Sequence, residues 1–274
     1  MILESWSECE NRSGQFQIQS EDLPFGFESW FLAMIDPTRI VNLAMALQPG
    51  QGVFLEAGAN DGLRQSNTLE LEKKLGWRGI LIEPSPFAFA ELKQNRPENL
   101  LVNCALVAHA ANGQIVRGTF LDGHLTGTMD DSLMNRSQDI PKTKLAAIKI
   151  RMAKMFRVSI RPTLVSVPAA SLDAVFRKYE VDRIDFMSLD VEGLEIQVLK
   201  GIDFSRIAPT VIVLETRKSD IWEVVELLTR AGYCLVENLS NFSTSGSPTW
   251  TQDHEDYLFI LKKELGKNPR LLGI

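Results

Sequence analysis

Short apolar runs typical of β-strands alternate with helical patterns through the middle of the chain. The predicted strands are 53–57, 79–82, 100–105, 184–189 and 210–215, and helices are expected from about residues 67, 85, 171, 193 and 219. This alternation predicts a three-layer, doubly wound Rossmann-like α/β fold with a mostly parallel sheet. Two later apolar runs, 233–236 and 257–261, have no helix between them. We therefore expect them to form an antiparallel pair, with an antiparallel edge strand.

Local signals set the expected ends of the helices. Asn67 and Glu70 have the spacing of a capping box, and Gly76 follows two lysines as a stop signal. Ser85 and Pro86 are typical of an N-cap followed by the first helical position. These signals predict one helix from 67 to 75 and a second that starts at 86.

Two regions fall outside this rhythm. Residues 1–46 are predicted to be a helical N-terminal extension, the main domain to span 47–265, and 266–274 to be a C-terminal tail. An insertion at about 119–163 contains seven basic residues between 142 and 161, and apolar residues recur there at helical spacing. We expect a basic amphipathic helix. It could pack on the core, cover an anionic substrate, or make peripheral contact with an anionic membrane surface.

Composition narrows the class of protein. The chain has 274 residues, 45% hydrophobic and 23% charged, as in ordinary globular proteins. The formal net charge of −6 argues against a nucleic-acid partner, which normally requires a basic surface. The three cysteines lack zinc-site spacing. Together with the absence of a recognisable secretory signal or membrane-spanning run, they predict a cytoplasmic protein.

The first candidate site follows the first predicted strand, in the sequence Glu56-Ala-Gly-Ala-Asn-Asp-Gly62. Glycines allow backbone to approach a ligand closely, and the next helix offers free N–H groups at its start. The dinucleotide fingerprint G-x-G-x-x-G fails, because Asn60 and Leu63 occupy the second and third glycine places after Gly58. Glu83 ends the second strand, where a carboxylate could bind the two hydroxyls of a ribose. We expect a nucleotide-type ligand here.

The second candidate site follows the fourth predicted strand. Asp190 ends that strand, at the sheet edge where open α/β folds bind ligands. Glu192 and Glu195 lie at the start of the next helix, where capping is the alternative role for both. Glu215 ends the fifth strand and is the next acid along the same edge, although a structural salt bridge would also explain it.

Together these segments resemble the FkbM family of S-adenosylmethionine-dependent methyltransferases. The resemblance covers most of residues 52–216, through FLEAGANDG, SNTLELEKKLGWRGILIEPSP, NCALV, SLDAVF, SLDVEGLEIQVLKG and VIVLE. It implies a class I methyltransferase fold and, usually, O-methylation of a hydroxyl on a sugar, glycan or secondary metabolite. The family commonly begins its loop with Asp, where this chain has Glu56. Neither 1–46 nor 119–163 matches a family pattern, so the methyl acceptor is left open.

The resemblance also implies roles for individual residues. The segment from Glu56 through Gly58 and Asn60 to Gly62 would wrap the methionine end of S-adenosylmethionine, and Glu83 would hold its ribose. Cys104 and Ala105 would border the adenine. Asp190 and Glu192 would face the methyl group and the small-molecule or glycan acceptor.

Methylation of a hydroxyl would benefit from a general base. Asp190 is the first candidate, because of its position at the edge, and His124, in the glycine-flanked DGHLTG stretch, is the second. A divalent metal bound by Asp190, Glu192 and Glu215 is possible but is not predicted. Two other functions remain open: a nicotinamide-dependent oxidoreductase, and a non-catalytic adaptor for a glycan or membrane surface.

Overall fold

The computed structural model describes residues 37–47, 50–121, 124–129, 162–240 and 254–267. These ranges contain eleven β-strands, seven α-helices and one 3-10 helix at His109–Ala111. The strands are β1 (Val53–Ala57), β2 (Arg78–Ile82), β3 (Leu100–Val102), β4 (Ala105–Leu106), β5 (Ile115–Leu121), β6 (His124–Met129), β7 (Pro162–Ala170), β8 (Phe186–Leu189), β9 (Val211–Arg217), β10 (Tyr233–Asn238) and β11 (His254–Leu261). The helices are α1 (Pro37–Leu47), α2 (Leu69–Leu75), α3 (Pro86–Asn95), α4 (Leu172–Lys178), α5 (Glu195–Leu199), α6 (Ile221–Arg230) and α7 (Lys262–Lys267).

The large sheet has seven strands in the order β10-β11-β9-β8-β1-β2-β3. From β3 to β9 all neighbours are parallel, which confirms the predicted mostly parallel α/β fold. The last two strands form the predicted antiparallel pair. However, the reversed strand is β11, which lies one position in from the edge strand β10. β10 follows α6 and lies two positions from β9, and β11 fills the gap by hydrogen bonding to both.

The third predicted strand, 100–105, is two strands in two sheets. β3 joins the large sheet, whereas β4 pairs with β7 in a second sheet of order β4-β7-β5-β6. The break occurs at Asn103, whose side chain donates hydrogen bonds to the backbone oxygens of Glu83 (2.7 Å) and Pro84 (3.1 Å). These bonds draw the chain toward the end of β2 and away from the strand direction.

The predicted insertion begins and ends as strand. Residues 119–121 and 124–129 belong to β5 and β6, and 162–163 belong to β7. Residues 130–161, which include the whole of the predicted basic segment 142–161, lie outside the described residues, as do 1–36 and 268–274. The basic helix and most of the N-terminal extension therefore stay predictions.

Apolar side chains cover both faces of the large sheet. On one face, Met187 and Leu214 pack in a cluster that includes Leu228 of α6. On the other, Phe54 and Phe186 belong to a cluster that includes residues of α1 and α2. Burying each such side chain contributes roughly 1.5–3 kcal/mol. The two layers fix the strands, and with them the edge at which the strands end.

Two of the three predicted helix signals are confirmed. The Ser85 hydroxyl accepts from the backbone N–H of Ala88, with Pro86 as the first residue of α3. Gly76 ends α2 with a φ of +67°. The capping box is wrong, because α2 begins at Leu69 and its N-cap position is occupied by Thr68. The N–H of Asn67 instead donates to the carboxylate of Glu56.

Candidate active site

Four acidic residues lie along the carboxyl edge of the large sheet. β2, β1, β8 and β9 are parallel neighbours in that order, and Glu83, Glu56, Asp190 and Glu215 lie in or directly after them. Ligands of open α/β sheets bind at this edge. The predicted gathering of these acids at one edge therefore agrees with the sheet order.

The loop from 58 to 62 presents backbone to this edge. Gly58 has a φ of +83°, and a Cβ added there would lie 1.8 Å from the backbone oxygen of Asp190. Gly62 has a φ of +81°, and its Cβ would lie 2.5 Å from Cδ1 of Leu92. Between them, Asn60 has a φ of +51°, a conformation that Asn tolerates better than most residues. A larger residue at 58 would push the loop away from Asp190 at the end of β8, and one at 62 would press against the side chains of Leu92 and Arg96.

Glu83 anchors this loop to the end of β2. Its two carboxylate oxygens accept from the backbone N–H groups of Asn60 (2.8 Å) and Ser85 (2.7 Å). A carboxylate has about four acceptor positions, so capacity remains for a ligand's hydroxyl groups. Burial raises the pKa of Glu83 to about 7, against the lowering effect of the two N–H donors and with a smaller raising effect from Glu192.

The side-chain oxygen of Asn60 is buried and has no hydrogen-bond partner among the described residues. Leaving such an acceptor unsatisfied costs about 1–3 kcal/mol. It belongs to the residue whose N–H already bonds Glu83. The loop and Glu83 therefore offer acceptors to a ligand that carries hydroxyl or ammonium donors.

Glu56 contacts the chain that follows the loop. Its carboxylate accepts from the Ser66 hydroxyl (2.8 Å), the Asn67 N–H (2.8 Å) and the Thr68 hydroxyl (2.7 Å). Burial raises the pKa of Glu56, and these donors partly offset the effect. With its carboxylate bound in this way, Glu56 fixes the path from the loop into α2.

Arg96 holds the same loop from the opposite side, and sequence reasoning missed it. The side chain is only 1% exposed and donates to the backbone oxygen of Gly62 (3.0 Å) and the hydroxyl oxygens of Ser66 and Thr68 (3.3 Å each). It also forms an ion pair with Glu72. In the sequence, Arg96-Pro97 signals only the end of a helix, so nothing local indicates this role.

The residues expected near an adenine lie directly after β3. Cys104 and Ala105 are 4% and 1% exposed and belong to the apolar core. Burial raises the pKa of the Cys104 thiol to about 12, so the thiol is neutral. Both residues can offer only apolar surface at this edge, and Asn103 ties them to the backbone around Glu83.

A tight turn follows β8 and displays Asp190 and Glu192. Glu192 and Gly193 have φ values of +55° and +94°. Glu195 stabilises the turn, because its carboxylate accepts from the N–H groups of Gly193 (2.9 Å) and Val191 (3.3 Å). These bonds hold the turn that precedes α5, whereas the N-cap position of the helix, Leu194, has no side-chain cap. Asp190 and Glu192 are exposed.

Asp190 and Glu215 lie in a group of acids to which strand β11 contributes Asp256. Asp256 is the cross-strand partner of Glu215 and accepts from the Ser240 hydroxyl (3.3 Å). Desolvation is the largest cause that raises the pKa values of Asp190 and Glu215, and neighbouring acids add to it. Burial raises the pKa of Asp256 to about 6. Asp256 could not be found from the sequence, because its pairing with Glu215 depends on where β11 is inserted in the sheet.

No cation neutralises this group among the described residues. Lys218, which directly follows β9, pairs instead with Glu255 of β11 (2.9 Å). The guanidinium of Arg217 lies beside Gly193, 3.0 Å from where a Cβ would be. Asp190, Glu215 and Asp256 make no ion pair with the described side chains.

Other candidates receive less support. His124 begins β6, opposite Leu121, and its side chain is outside the described part of the chain. Among the described side chains, no group of three or more His, Cys, Asp or Glu could hold a metal ion. The helices in the described ranges are all too short or too polar to cross a membrane.

Comparison with known proteins identifies a family whose model matches this chain. A family model described as the methyltransferase FkbM domain matches residues 56–235, about two thirds of the chain. This range begins at Glu56 and includes the glycine loop, Glu83, Asp190 and Glu215. A comparison with curated proteins gives no match.

Several solved structures are similar at low identity. An FkbM methyltransferase from Methylobacillus flagellatus KT is 14% identical with a TM-score of 0.43, covering 77% of this chain and 43% of that one. A precorrin-6y C5,15-methyltransferase from Geobacter metallireducens GS-15 is 13% identical with a TM-score of 0.40, covering 84% and 90%. A TehB-like S-adenosylmethionine-dependent methyltransferase from Corynebacterium glutamicum is 15% identical with a TM-score of 0.39, covering 82% and 87%.

Proposed function

Because the chain belongs to the FkbM family of S-adenosylmethionine-dependent methyltransferases, we propose that it methylates a hydroxyl group of a sugar, glycan or secondary metabolite. The observation that carries this proposal is the meeting of three features at one sheet edge: the glycine loop, the acceptor oxygens of Glu83 and the exposed carboxylate of Asp190. The glycine loop and Glu83 suit a cofactor that carries several hydrogen-bond donors. The third suits removal of a proton from an alcohol.

The residues on the β1–β3 side fit S-adenosylmethionine. Glu83 would accept hydrogen bonds from the ribose hydroxyls, and the unsatisfied oxygen of Asn60 would accept from the ammonium of the methionine end. Cys104 and Ala105 would border the adenine with apolar surface. The bound cofactor supplies a methyl group activated by a positively charged sulfur.

Asp190 is the proposed general base. An alcohol is a weak nucleophile at neutral pH, and a positioned base typically contributes 10²- to 10⁴-fold. The raised pKa of Asp190 makes it a better proton acceptor than an ordinary aspartate when ionised. Glu192, which is exposed in the same turn, would contact the acceptor.

Calorimetry with S-adenosylhomocysteine and, separately, with NAD tests the cofactor. We expect micromolar binding of S-adenosylhomocysteine and none of NAD. Glu83→Gln should weaken the affinity about 10- to 100-fold, because a hydrogen bond to a charged group contributes about 1.5–3 kcal/mol. Glu91→Gln, at an exposed position on α3, is the matched control and should bind as the wild type does. Binding of NAD alone would contradict the proposal.

An acceptor screen tests the reaction. Purified protein is incubated with methyl-labelled S-adenosylmethionine and separate pools of sugars, other alcohols and amines, and the methylated product is identified by mass spectrometry and NMR. We expect label on oxygen, and at least a 100-fold loss of turnover in Asp190→Asn with unchanged affinity for S-adenosylhomocysteine. Label on nitrogen or carbon would refute O-methylation, and full turnover in Asp190→Asn would refute the assigned base.

A further inference from the structure

The ends of β8 and β9 bring two carboxyl groups into contact. Leu189 and Leu214 are register partners in these parallel strands, so the next residues, Asp190 and Glu215, lie side by side. A side-chain hydrogen bond with Glu215 is among the influences that lower the pKa of Asp190. Ionised carboxylates can only accept hydrogen bonds, so this contact requires a proton between them. The two groups therefore form a proton-sharing pair.

The surroundings of the pair favour keeping that proton. Asp256 faces Glu215 from the neighbouring strand β11, Glu192 lies in the turn after Asp190, and Glu195 begins α5. All three disfavour a second negative charge on the pair, and all raise the pKa of Glu215. Two cationic or titratable groups also lie on the same face of the sheet as Glu215 and Asp256. They are Arg217 of β9 and His254 of β11, which are register partners.

The two members of the pair differ in exposure. Glu215 lies within β9 and is half-buried, whereas Asp190 lies beyond the end of β8 and is exposed. Although its carboxylate is partly desolvated, Asp190 accepts a hydrogen bond from the backbone N–H of Glu192, which stabilises the ionised form at this position. The proton therefore resides mainly on Glu215, and the negative charge on Asp190.

We propose that Glu215 is a positioning residue that keeps its proton at neutral pH and donates it in a hydrogen bond to Asp190, so that Asp190 presents an oriented, ionised carboxylate to the methyl acceptor. This inference rests on the proposed function, in which Asp190 is the base. In the transfer, the acceptor oxygen would form a bond to the methyl carbon as the bond from that carbon to the sulfur of S-adenosylmethionine breaks and S-adenosylhomocysteine leaves; the O–H bond of the acceptor would break, and its proton would move to the free oxygen of Asp190. The exposure of Asp190 lets that proton pass to solvent afterwards, while Glu215 keeps its own.

NMR titration of the full chain, with ¹³C-labelled Asp and Glu carboxyl carbons and no cofactor, tests the pairing. In the wild type we expect the Glu215 carboxyl to remain protonated at pH 7.5. Asp190→Asn should lower the pKa of Glu215 by at least one unit, because it removes the adjacent charge. Glu215→Gln should leave the pKa of Asp190 close to its wild-type value, because the neutral amide donates a hydrogen bond in place of the protonated carboxyl.

Two variants separate positioning from folding. Glu215→Ala removes the donor and should raise the pKa of Asp190 relative to Glu215→Gln, while Glu226→Gln, on the exposed face of α6, should leave both titrations unchanged. Ionisation of both Asp190 and Glu215 below pH 6 in the wild type would overturn the inference, as would equal Asp190 titrations in the Gln and Ala variants. These readouts need no cofactor. Failure to bind S-adenosylhomocysteine would instead contradict the proposed function and leave the pairing standing.

Discussion

The two halves of the carboxyl edge hold their charged groups in different ways. On the side proposed to bind the cofactor (the cofactor side), formed by the ends of β1 to β3, each carboxylate is held by donors: Glu83 by two backbone N–H groups and Glu56 by two hydroxyls and one N–H. On the acceptor side, formed by the ends of β8, β9 and β11, Asp190, Glu215 and Asp256 crowd together without an ion pair to the described side chains.

This difference separates rigidity from reactivity. Donors fix the geometry of the cofactor side and leave few positions unsatisfied, so a ligand meets a preformed surface. Crowded acids raise one another's pKa, which keeps protons available near neutral pH. Under the proposed function, one side binds the cofactor and the other exchanges a proton, so substitutions on each should be measured by different properties.

Gly58→Ala should cause the largest effect, because it forces the two halves apart. The new Cβ would lie 1.8 Å from the backbone oxygen of Asp190, at a φ of +83° that alanine disfavours. We expect at least about a 100-fold loss of affinity for S-adenosylhomocysteine by calorimetry, equivalent to about 2.8 kcal/mol. Gly76→Ala is the matched control, since its φ is +67° and nothing lies within 4 Å. It should cost about 1 kcal/mol of stability and leave binding intact.

Arg96→Gln should destabilise the cofactor side from within. The substitution leaves the oxygen of Gly62 and the carboxylate of Glu72 without their buried partner, a type of change that typically costs 3–5 kcal/mol. Urea denaturation should show a free energy of unfolding lower by about 3 kcal/mol, with weaker binding of S-adenosylhomocysteine. Arg230→Gln, at an exposed ion pair on α6, should change stability by less than about 0.5 kcal/mol. A similar effect of both substitutions would contradict the role of Arg96.

The pH dependence of binding should report the ionisation of Glu83. Its pKa is raised to about 7, so the free protein carries a protonated Glu83 below that pH. Ribose hydroxyls are bound best by the ionised form. The dissociation constant for S-adenosylhomocysteine should therefore be flat above about pH 8 and rise toward tenfold per pH unit below 7. The stability of the free protein should increase as the pH falls through the same range, while the affinity weakens, since a raised carboxyl pKa favours the folded state at low pH.

The matched variant is Glu83→Gln, which cannot titrate. Its dissociation constant should be higher than that of the wild type at pH 8 and nearly independent of pH between 6 and 8. A wild-type profile that is equally flat would mean that Glu83 is ionised throughout or does not contact the ligand.

The sequence indicated elements that depend on neighbouring residues and missed those that depend on distant ones. Ser85-Pro86 and Gly76 set helix ends through contacts within four residues, and both predictions are confirmed. Asn67 failed as a cap because Glu56, eleven residues away, binds its N–H. Such competition becomes visible only when the strand and the turn are placed together.

The same distinction explains which residues of the candidate site could be predicted from the sequence. Glu83, Asp190 and Glu215 could be placed at one edge, because they end or follow strands that alternate with helices and so run parallel. Arg96 and Asp256 could not. Arg96 reaches a loop 34 residues away, and Asp256 meets Glu215 only because β11 enters the sheet between β9 and β10. Pattern predicts which edge is used, whereas packing decides which side chains meet there.

Asp256→Asn should produce the smallest effect. Unlike the substitutions above, it should increase the stability of the protein. Burial raises the pKa of Asp256 to about 6, so its ionised form destabilises the folded protein above that pH, beside Glu215. Asparagine keeps an acceptor for the Ser240 hydroxyl and carries no charge. The variant should be more stable than the wild type by about 1 kcal/mol at pH 8, and the difference should shrink as the pH falls toward 4. Urea denaturation at the two pH values measures it. Lower stability of the variant at pH 8 would mean that the acid is stabilised by its surroundings, and the contrast between the two halves of the edge would then disappear.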